Sequence, residues 1–356
     1  MTTDGKIWLL LDSSKFGGIE THVLQLARSL AKHKMAVEVV FLSDYGPHPI
    51  MPLLQQHNIG FSVLKFGLLS LIKAFKQQQP LLVHTHGYKA GIYARLAGLF
   101  STTTLVSTFH AGEVLSGKLA LYDFADRISA CLSHALIAVS CQINARLKHK
   151  CTVVDNFVAI EQQAFPGEQI AFVGRLSHEK GPDLFLKLSS CFTQRLFNVY
   201  GDGPMRNELE QQAGNNVIFH GHQSNMDQQW QHIGLLVMPS RQEGLPLAAL
   251  EAMAHGIPVC AFNVGSLNRL IDADNGWLAP AGDLPRLRHA ISQWLSSSLK
   301  CKFARSRSAR KRVIVNFSDI AAMPTIISCY NKALRNNNTS NTLLLSANKE
   351  QSHGVE

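Results

Sequence analysis

The chain has 356 residues and a mass of 39.2 kDa, which at roughly 150 residues per domain leaves room for about two domains. It is 46% hydrophobic and only 17% charged, against a usual ~25%, and this excludes a wholly disordered chain. The formal charge of +9 permits a polyanionic or membrane-surface partner without requiring one.

The first half alternates strand-like and helix-like segments. Residues 6–11 read as a buried strand. Gly17 and Gly18 then break the chain, and residues 20–33 set Val23, Leu24, Leu26, Ala27, Leu30 and Ala31 on one helical face. Strands are predicted at 37–42, 81–86, 104–109 and 135–139, and helices at 68–77, 90–99 and 122–133. Residues 153–166 read as a crossover. A second series follows, with strands at 170–173, 196–200, 217–220, 235–238 and 258–262 and helices at 182–190, 205–213 and 246–255. Such alternation implies parallel sheets covered on both faces. The expected fold is α/β: two tandem Rossmann-like, doubly wound domains facing across a cleft. In such sheets ligands bind beyond the carboxyl ends of the strands. The expected boundaries are 1–165 and 166–315, then a helix at 316–335 packing back on the first domain, and a mobile tail rich in Asn, Ser and Thr at 336–356.

No two of the seven cysteines stand at Cys-x-x-Cys spacing, so neither a zinc ribbon nor a redox motif is visible. An odd count without a framework suits a reducing compartment. The opening residues do not read as a secretory signal, and no run approaches the ~18 apolar residues of a spanning helix. The expected location is the cytoplasm, with the inner face of the cytoplasmic membrane as an alternative.

Three constellations could carry chemistry. In Glu243-Gly-Leu-Pro-Leu-Ala-Ala-Leu-Glu251, the predicted helix opens near Leu247 and Ala248. Its first turn has free N–H groups and the positive end of the dipole, a site for phosphate. Glu243 and Glu251 frame it and can accept hydrogen bonds from polyol hydroxyls. The plainer alternative is an acidic pair that caps and solvates a helix. In Gly174-Arg175-Leu-Ser-His-Glu-Lys180-Gly181, Arg175 can grip phosphate oxygens as a fork and Lys180 as a point charge. An exposed charged turn is the alternative, but placement straight after a strand favours a ligand. Third, Phe16-Gly17-Gly18-Ile-Glu20 lets backbone approach a ligand at a helix start. It is not Gly-x-Gly-x-x-Gly, so a dinucleotide site is not supported.

Together these motifs resemble the retaining, nucleotide-sugar-dependent glycosyltransferases of family four, the group 1 glycosyltransferases with the glycosyltransferase B fold. The resemblance runs from Ile7 to about Leu334, and the Tyr200-Gly201-Asp-Gly203-Pro204 turn and Asp274-Asn-Gly276 also fit it. It implies that Arg175 and Lys180 neutralise the donor pyrophosphate, that Glu243 binds donor-sugar hydroxyls and Glu251 the ribose, and that N–H groups near Leu247 and Ala248 hold a phosphate. It puts Gly17 and Gly18 close to the pyrophosphate, Gly201 and Gly203 near the base, and His110 beside the donor sugar. It assigns the acceptor to the first domain and the nucleotide-sugar to the second. One departure stands out. The family often has Gly-Gly-x-x-Glu after the strand at 258–262, and here Ser266 replaces the second glycine and Asn268 the acid.

Several features read as structural. Asp272-Ala-Asp274 has metal-motif spacing but sits in a late turn. His84-x-His86 and His220-x-His222 place two rings on one strand face, able to hold Zn if a third ligand came from elsewhere; strand-end histidines are the plainer reading. Residues 300–312 hold seven basic side chains, read as a solvated helix face rather than a lipid or nucleic-acid contact. Residues 67–76, apolar with two lysines, read as a sheet-covering helix rather than a membrane contact. Net charge is +6 over residues 1–155 and +3 over the rest.

The reading is a metal-independent retaining glycosyltransferase with no cofactor. It would use a nucleotide-sugar donor and a glycan or lipid-linked acceptor in surface polysaccharide or lipopolysaccharide assembly. Peripheral contact with an anionic membrane is allowed and nucleic acid is not expected. An epimerase or phosphorylase on the same fold, and an inactive scaffold, are the rivals.

Overall fold

A computed structural model describes residues 5–110, 117–147, 149–160, 167–223 and 226–337. The chain divides into two compact units, Met1–Asp155 with Ala322–Glu356, and Asn156–Ala321.

The first unit runs β1 (Ile7–Leu11), α1 (Gly18–Lys32), β2 (Val37–Phe41), α2 (Ile50–Gln56), β3 (Gly60–Val63), α3 (Leu68–Gln78), β4 (Leu82–His86), α4 (Tyr88–Gly98), β5 (Leu105–Phe109), α5 (Gly117–Ser129), β6 (Ala135–Ala138), α6 (Cys141–Arg146) and β7 (Thr152–Val153). Its seven strands are all parallel in the order β3-β2-β1-β4-β5-β6-β7. The order reverses direction between β1 and β4, where Leu11 is in register with His86. Helices α3 and α4 cover one face. Ala90, Ala94 and Ala97 repeat at helical spacing, and Leu71 and Phe75 bury beside them against Trp8, Leu10 and Val83. Residues 67–76 are thus part of a sheet-covering helix.

The second unit runs β8 (Gln169–Val173), α7 (Pro182–Ser189), β9 (Phe197–Tyr200), α8 (Arg206–Gln212), β10 (Val217–Gly221), α9 (Asp227–Trp230), β11 (Ile233–Met238), α10 (Leu247–Ala254), β12 (Val259–Phe262), α11 (Leu267–Leu270), β13 (Gly276–Ala279), α12 (Leu284–Ser296) and α13 (Leu299–Asn316). Its parallel order is β10-β9-β8-β11-β12-β13, reversing between β8 and β11. One core holds Ala249, Leu250 and Met253 of α10 with Ala309 and Val313 of α13. The other holds Phe185, Leu209, Leu287, Ile291 and Trp294.

The division between the units precedes the expected boundary at 165/166, which lies outside the described residues. Val154 N–H donates to Ala138 O of the first sheet. Two residues on, Asn156 Nδ2 donates to Leu245 O, and Val158 exchanges hydrogen bonds with Phe317 O and Asp319 N. The connection is therefore absorbed into the second unit by long-range pairing. The last helix, α14 (Asp319–Asn336), joins the first unit from Ala322 onward. There Tyr330 Oη lies 2.8 Å from His84 Nδ1, and Asn336 Nδ2 donates to His134 O. Of the expected tail, residues 338–356 lie outside the described residues.

The basic segment 300–312 is not a free solvated face. Arg305 donates to Ala273 O and Gly276 O and stacks on Trp277, Lys302 lies 4.2 Å over Trp294, Arg310 donates to Ala254 O, and Arg312 pairs with Asp272. These side chains tie α13 to the loops around it. Asp272 also accepts from Asp274 N–H, so the Asp-Ala-Asp segment is a turn closed by an arginine. No helix among the described residues is long and apolar enough to cross a membrane.

Candidate functional site

In the second unit the residues singled out by sequence gather at the carboxyl ends of β8 and β11, the reversal point where parallel sheets take ligands. Gly174 and Arg175 follow β8 directly. Arg175 is exposed, and its side chain is drawn into no hydrogen bond or ion pair among the described residues. A short turn, His178–Lys180, then aims Lys180 at the loop after β11. There Lys180 Nζ donates to Glu243 Oε2 at 2.7 Å; the side chains are 30% and 3% exposed. The other carboxylate oxygen, Glu243 Oε1, is buried without a hydrogen-bond partner among the described residues. A buried acceptor left open costs about 1–3 kcal/mol, so this atom awaits a donor.

Helix α10 begins four residues later. Its N-cap is Pro246, which offers no side-chain acceptor, and backbone bonds inside the helix begin at Ala249 N and Leu250 N, both to Pro246 O. The Leu247 and Ala248 N–H groups are left at the positive end of the helix, in position for an anion. Glu251 is half-buried one turn further on.

Two residues that sequence reasoning did not find hold these loops together. Arg241 bonds both carboxylate oxygens of Asp183 at 2.8 and 2.7 Å and donates to His178 O at 2.8 Å. Arg241 N–H also donates to Glu179 O. The Arg241 guanidinium holds the Asp183 carboxyl below its ordinary value. Burial works against the charge of Glu179, yet the Ser177 hydroxyl, the backbone, Arg175 and Lys180 together keep its carboxyl low. No periodicity marks Arg241 or Asp183; the only clue was that Arg241 lies two residues before Glu243.

Gly201 and Gly203 serve packing in this structure. A Cβ on Gly201 would overlap Gly174 O, and one on Gly203 would overlap the Leu176 backbone. Beside them, the Tyr200 ring stacks on His220 at 4.3 Å and 7°. His220 Nε2 is 2.9 Å from Asn198 Oδ1, so His220 of the His220-x-His222 pair is tied to the neighbouring strand. At the departure from the family pattern, Gly265 has φ +59°, and a Cβ there would strike Glu243 O. Ser266 N–H donates to Gly244 O, while Asn268 is exposed. The loop after β12 thus props the Glu243 loop through its backbone, which the loss of glycine at 266 and acid at 268 leaves intact.

In the first unit, Gly17 is the N-cap of α1 and Gly18 its first residue, and a Cβ on Gly18 would meet nothing. His86 ends β4 and His110 follows β5. His86 Nδ1 and His110 Nε2 are 3.0 Å apart, and the His22 ring stands edge-on to His110 at 4.7 Å. His84, one strand position inward, is bound at both nitrogens, to Tyr330 Oη and to Thr108 Oγ1 at 2.6 Å. Burial first, then repulsion from neighbouring rings, holds His86 and His110 well below the ordinary histidine value and takes His84 to about 3. The folded chain keeps these rings neutral where the unfolded chain protonates them. Below about pH 6.5 the unfolded state binds more protons, so stability is full above that value and is lost as pH falls, by at most ~1.4 kcal/mol per ring per pH unit. Urea midpoints measured in EDTA should drop between about pH 7 and about pH 5. An unchanged midpoint would contradict a neutral cluster.

Solved structures share this architecture. The Anabaena protein HepE, crystallised with UDP-glucose, superposes with a TM-score of 0.76 at 20% identity, over 91% of this chain and 99% of that one. The fold is that of the glycosyltransferase B enzymes. Residues 16–162 match the family described as Glycosyltransferase Family 4, and residues 167–297 that described as Glycosyl transferases group 1. The chain belongs to these group 1, family 4 glycosyltransferases, and its activity is glycosyl transfer. It is 28% identical to an uncharacterised 41.2 kDa protein in the cps region of Klebsiella pneumoniae, over 72% of this chain and 82% of that one. It is 24% identical to the Escherichia coli UDP-Gal:alpha-D-GlcNAc-diphosphoundecaprenol alpha-1,3-galactosyltransferase, over 74% of this chain and 78% of that one.

Proposed function

We propose that the protein is a retaining, metal-independent glycosyltransferase. It moves a sugar from a nucleoside-diphosphate donor, UDP-linked in the first instance, to a lipid-linked glycan in surface polysaccharide or lipopolysaccharide assembly. The observation that carries this reading is Glu243, with one oxygen fixed by Lys180 and the other buried and open beside the α10 N-terminus. A sugar hydroxyl satisfies that oxygen, and the adjoining diphosphate meets the Leu247 and Ala248 N–H groups, Lys180 and Arg175. Glu251 takes the ribose.

Breaking the sugar–phosphate bond builds positive charge on the sugar and negative charge on the leaving diphosphate. Preorganised cations and N–H groups on the diphosphate are then the largest protein contribution, and they supply what a divalent ion supplies in other transferases. Retention follows from same-face attack by the acceptor hydroxyl, with the departing phosphate taking its proton. The lipid-linked acceptor is supported by the named acceptor of the E. coli relative and by the cps setting of the Klebsiella one.

Calorimetric titration with UDP, GDP and ADP, each with and without EDTA, tests the donor half. UDP should bind equally in both buffers, and Arg175→Ala should weaken it ~10- to 100-fold, the worth of a charged hydrogen bond. A requirement for a divalent ion would remove metal independence, and no binding by any diphosphate would favour an inactive scaffold.

Peripheral membrane contact belongs to the same reading. On α5 Leu121, Phe124 and Ile128 are exposed at one-face spacing, in the unit that carries most of the positive charge. The protein should float with vesicles containing anionic lipid and not with neutral ones, and Leu121→Ser with Phe124→Ser should abolish this. Failure to float with anionic vesicles would reject the contact.

A further inference from the structure

We propose that His22, His86 and His110 form a binding site for a borderline transition-metal ion, with Zn2+ as the fitting occupant. The site lies in the first unit and is separate from the diphosphate chemistry above. The three rings come from three elements: α1, the last position of β4, and the residue after β5. Their ligating nitrogens all lie within 4.8 Å of one another. Ring centroids are 4.7 Å apart for His22–His110, 5.3 Å for His86–His110 and 5.5 Å for His22–His86.

Tetrahedral Zn2+ holds imidazole nitrogens at ~2.0–2.1 Å, which sets neighbouring ligand atoms ~3.3 Å apart. His86 Nδ1 and His110 Nε2 stand at 3.0 Å, so an ion can take the place of the proton they share. Rotation of the His22 ring closes the third side. The donor set holds neither carboxylate nor thiolate, which selects Zn2+, Co2+, Ni2+ or Cu2+ over Mg2+ and Ca2+.

Two further observations point to a ligand. His86 is 1% exposed, and its Nδ1 has no partner among the described residues other than His110 Nε2, so the nitrogen that would take the ion is committed to nothing else. The wall behind the site is also fixed: the His84 ring packs 4.3 Å from His86, and both its nitrogens are committed to Tyr330 and Thr108. His84 is therefore a positioning group rather than a ligand, and the His84-x-His86 pair contributes one ligand, not two. Entry is open through His110, which borders a recess lined by Tyr88, Asp123, Arg127 and Arg146. Three protein ligands leave a fourth position for water or a hydroxyl.

Cobalt titration of the full chain tests the site directly. Co2+ should give visible d–d bands that saturate at a single equivalent, lack the near-ultraviolet absorption of thiolate ligation, and bleach on adding Zn2+. Thiolate absorption matters because four cysteines are exposed. His22→Ala and His110→Ala should each abolish the bands, with circular dichroism confirming the fold. If His22→Ala fails to fold, His110→Ala, at the more open position, decides. Absence of bands, bands with thiolate character, or bands that survive His110→Ala would overturn the proposal.

Discussion

Arg175→Ala should lower kcat/KM by ~10²- to 10³-fold, the range for deleting one preorganised group that meets transition-state charge. The structure makes this substitution unusually clean. Arg175 is exposed, and among the described residues its side chain makes no hydrogen bond or ion pair and acts on a neighbour only through its charge near Glu179, so its loss should change stability by no more than ~0.5 kcal/mol. Paired measurements of steady-state rate and thermal midpoint separate the roles. A large fall in rate with an unmoved midpoint supports a diphosphate contact. An unmoved rate would take Arg175 out of the site. Arg175→Lys should recover only part of the loss, because an ammonium replaces a two-pronged fork with a point charge.

Lys180→Ala should damage both rate and stability. Glu243 is 3% exposed, and Lys180 is the one partner of its carboxylate that the structure shows. Removing the ammonium leaves a buried charge with neither oxygen satisfied, at a cost of about 1–3 kcal/mol after allowing for the partial exposure of Lys180. The rate should fall at least as far as in Arg175→Ala, because on the proposed reading one substitution removes a diphosphate contact and disorders the carboxylate assigned to the sugar. The double variant Lys180→Met with Glu243→Gln discriminates. Stability should return toward wild type once the orphaned charge is gone, while activity stays lost. Recovery of activity along with stability would reduce the pair to a structural ion pair.

Sequence reasoning reached the elements whose patterns are local. The central strands β1, β8 and β11 are largely apolar runs, and the residues that follow them are where ligand chemistry was expected, while β4 is buried throughout despite its two histidines. The edge strands β3 and β7 were missed because they are short and half-exposed, with no apolar run to announce them. The unit boundary was misplaced because Val158 is claimed by residues ~160 positions away, a pairing no window can register. At the site, Arg175, Lys180, Glu243 and the α10 N-terminus were legible from their places after strands. Arg241, Asp183 and the meeting of His22 with His86 were not, since each depends on loops brought together only by the fold. The basic run at 300–312 shows the opposite failure. Its composition suggested a solvated face, but four of its side chains cap carbonyls, pair with a carboxylate or stack on tryptophans.

The contact between Gly265 and the Glu243 carbonyl has a bearing on how such an enzyme could be retuned. Position 265 is closed to every side chain for a steric reason. Asn268, three residues on, is exposed, and its side chain makes no hydrogen bond among the described residues. A library aimed at changing the accepted sugar should therefore hold Gly265 constant and vary Asn268, where charge, length and hydrogen-bonding capacity can all change without moving the carboxylate of Glu243.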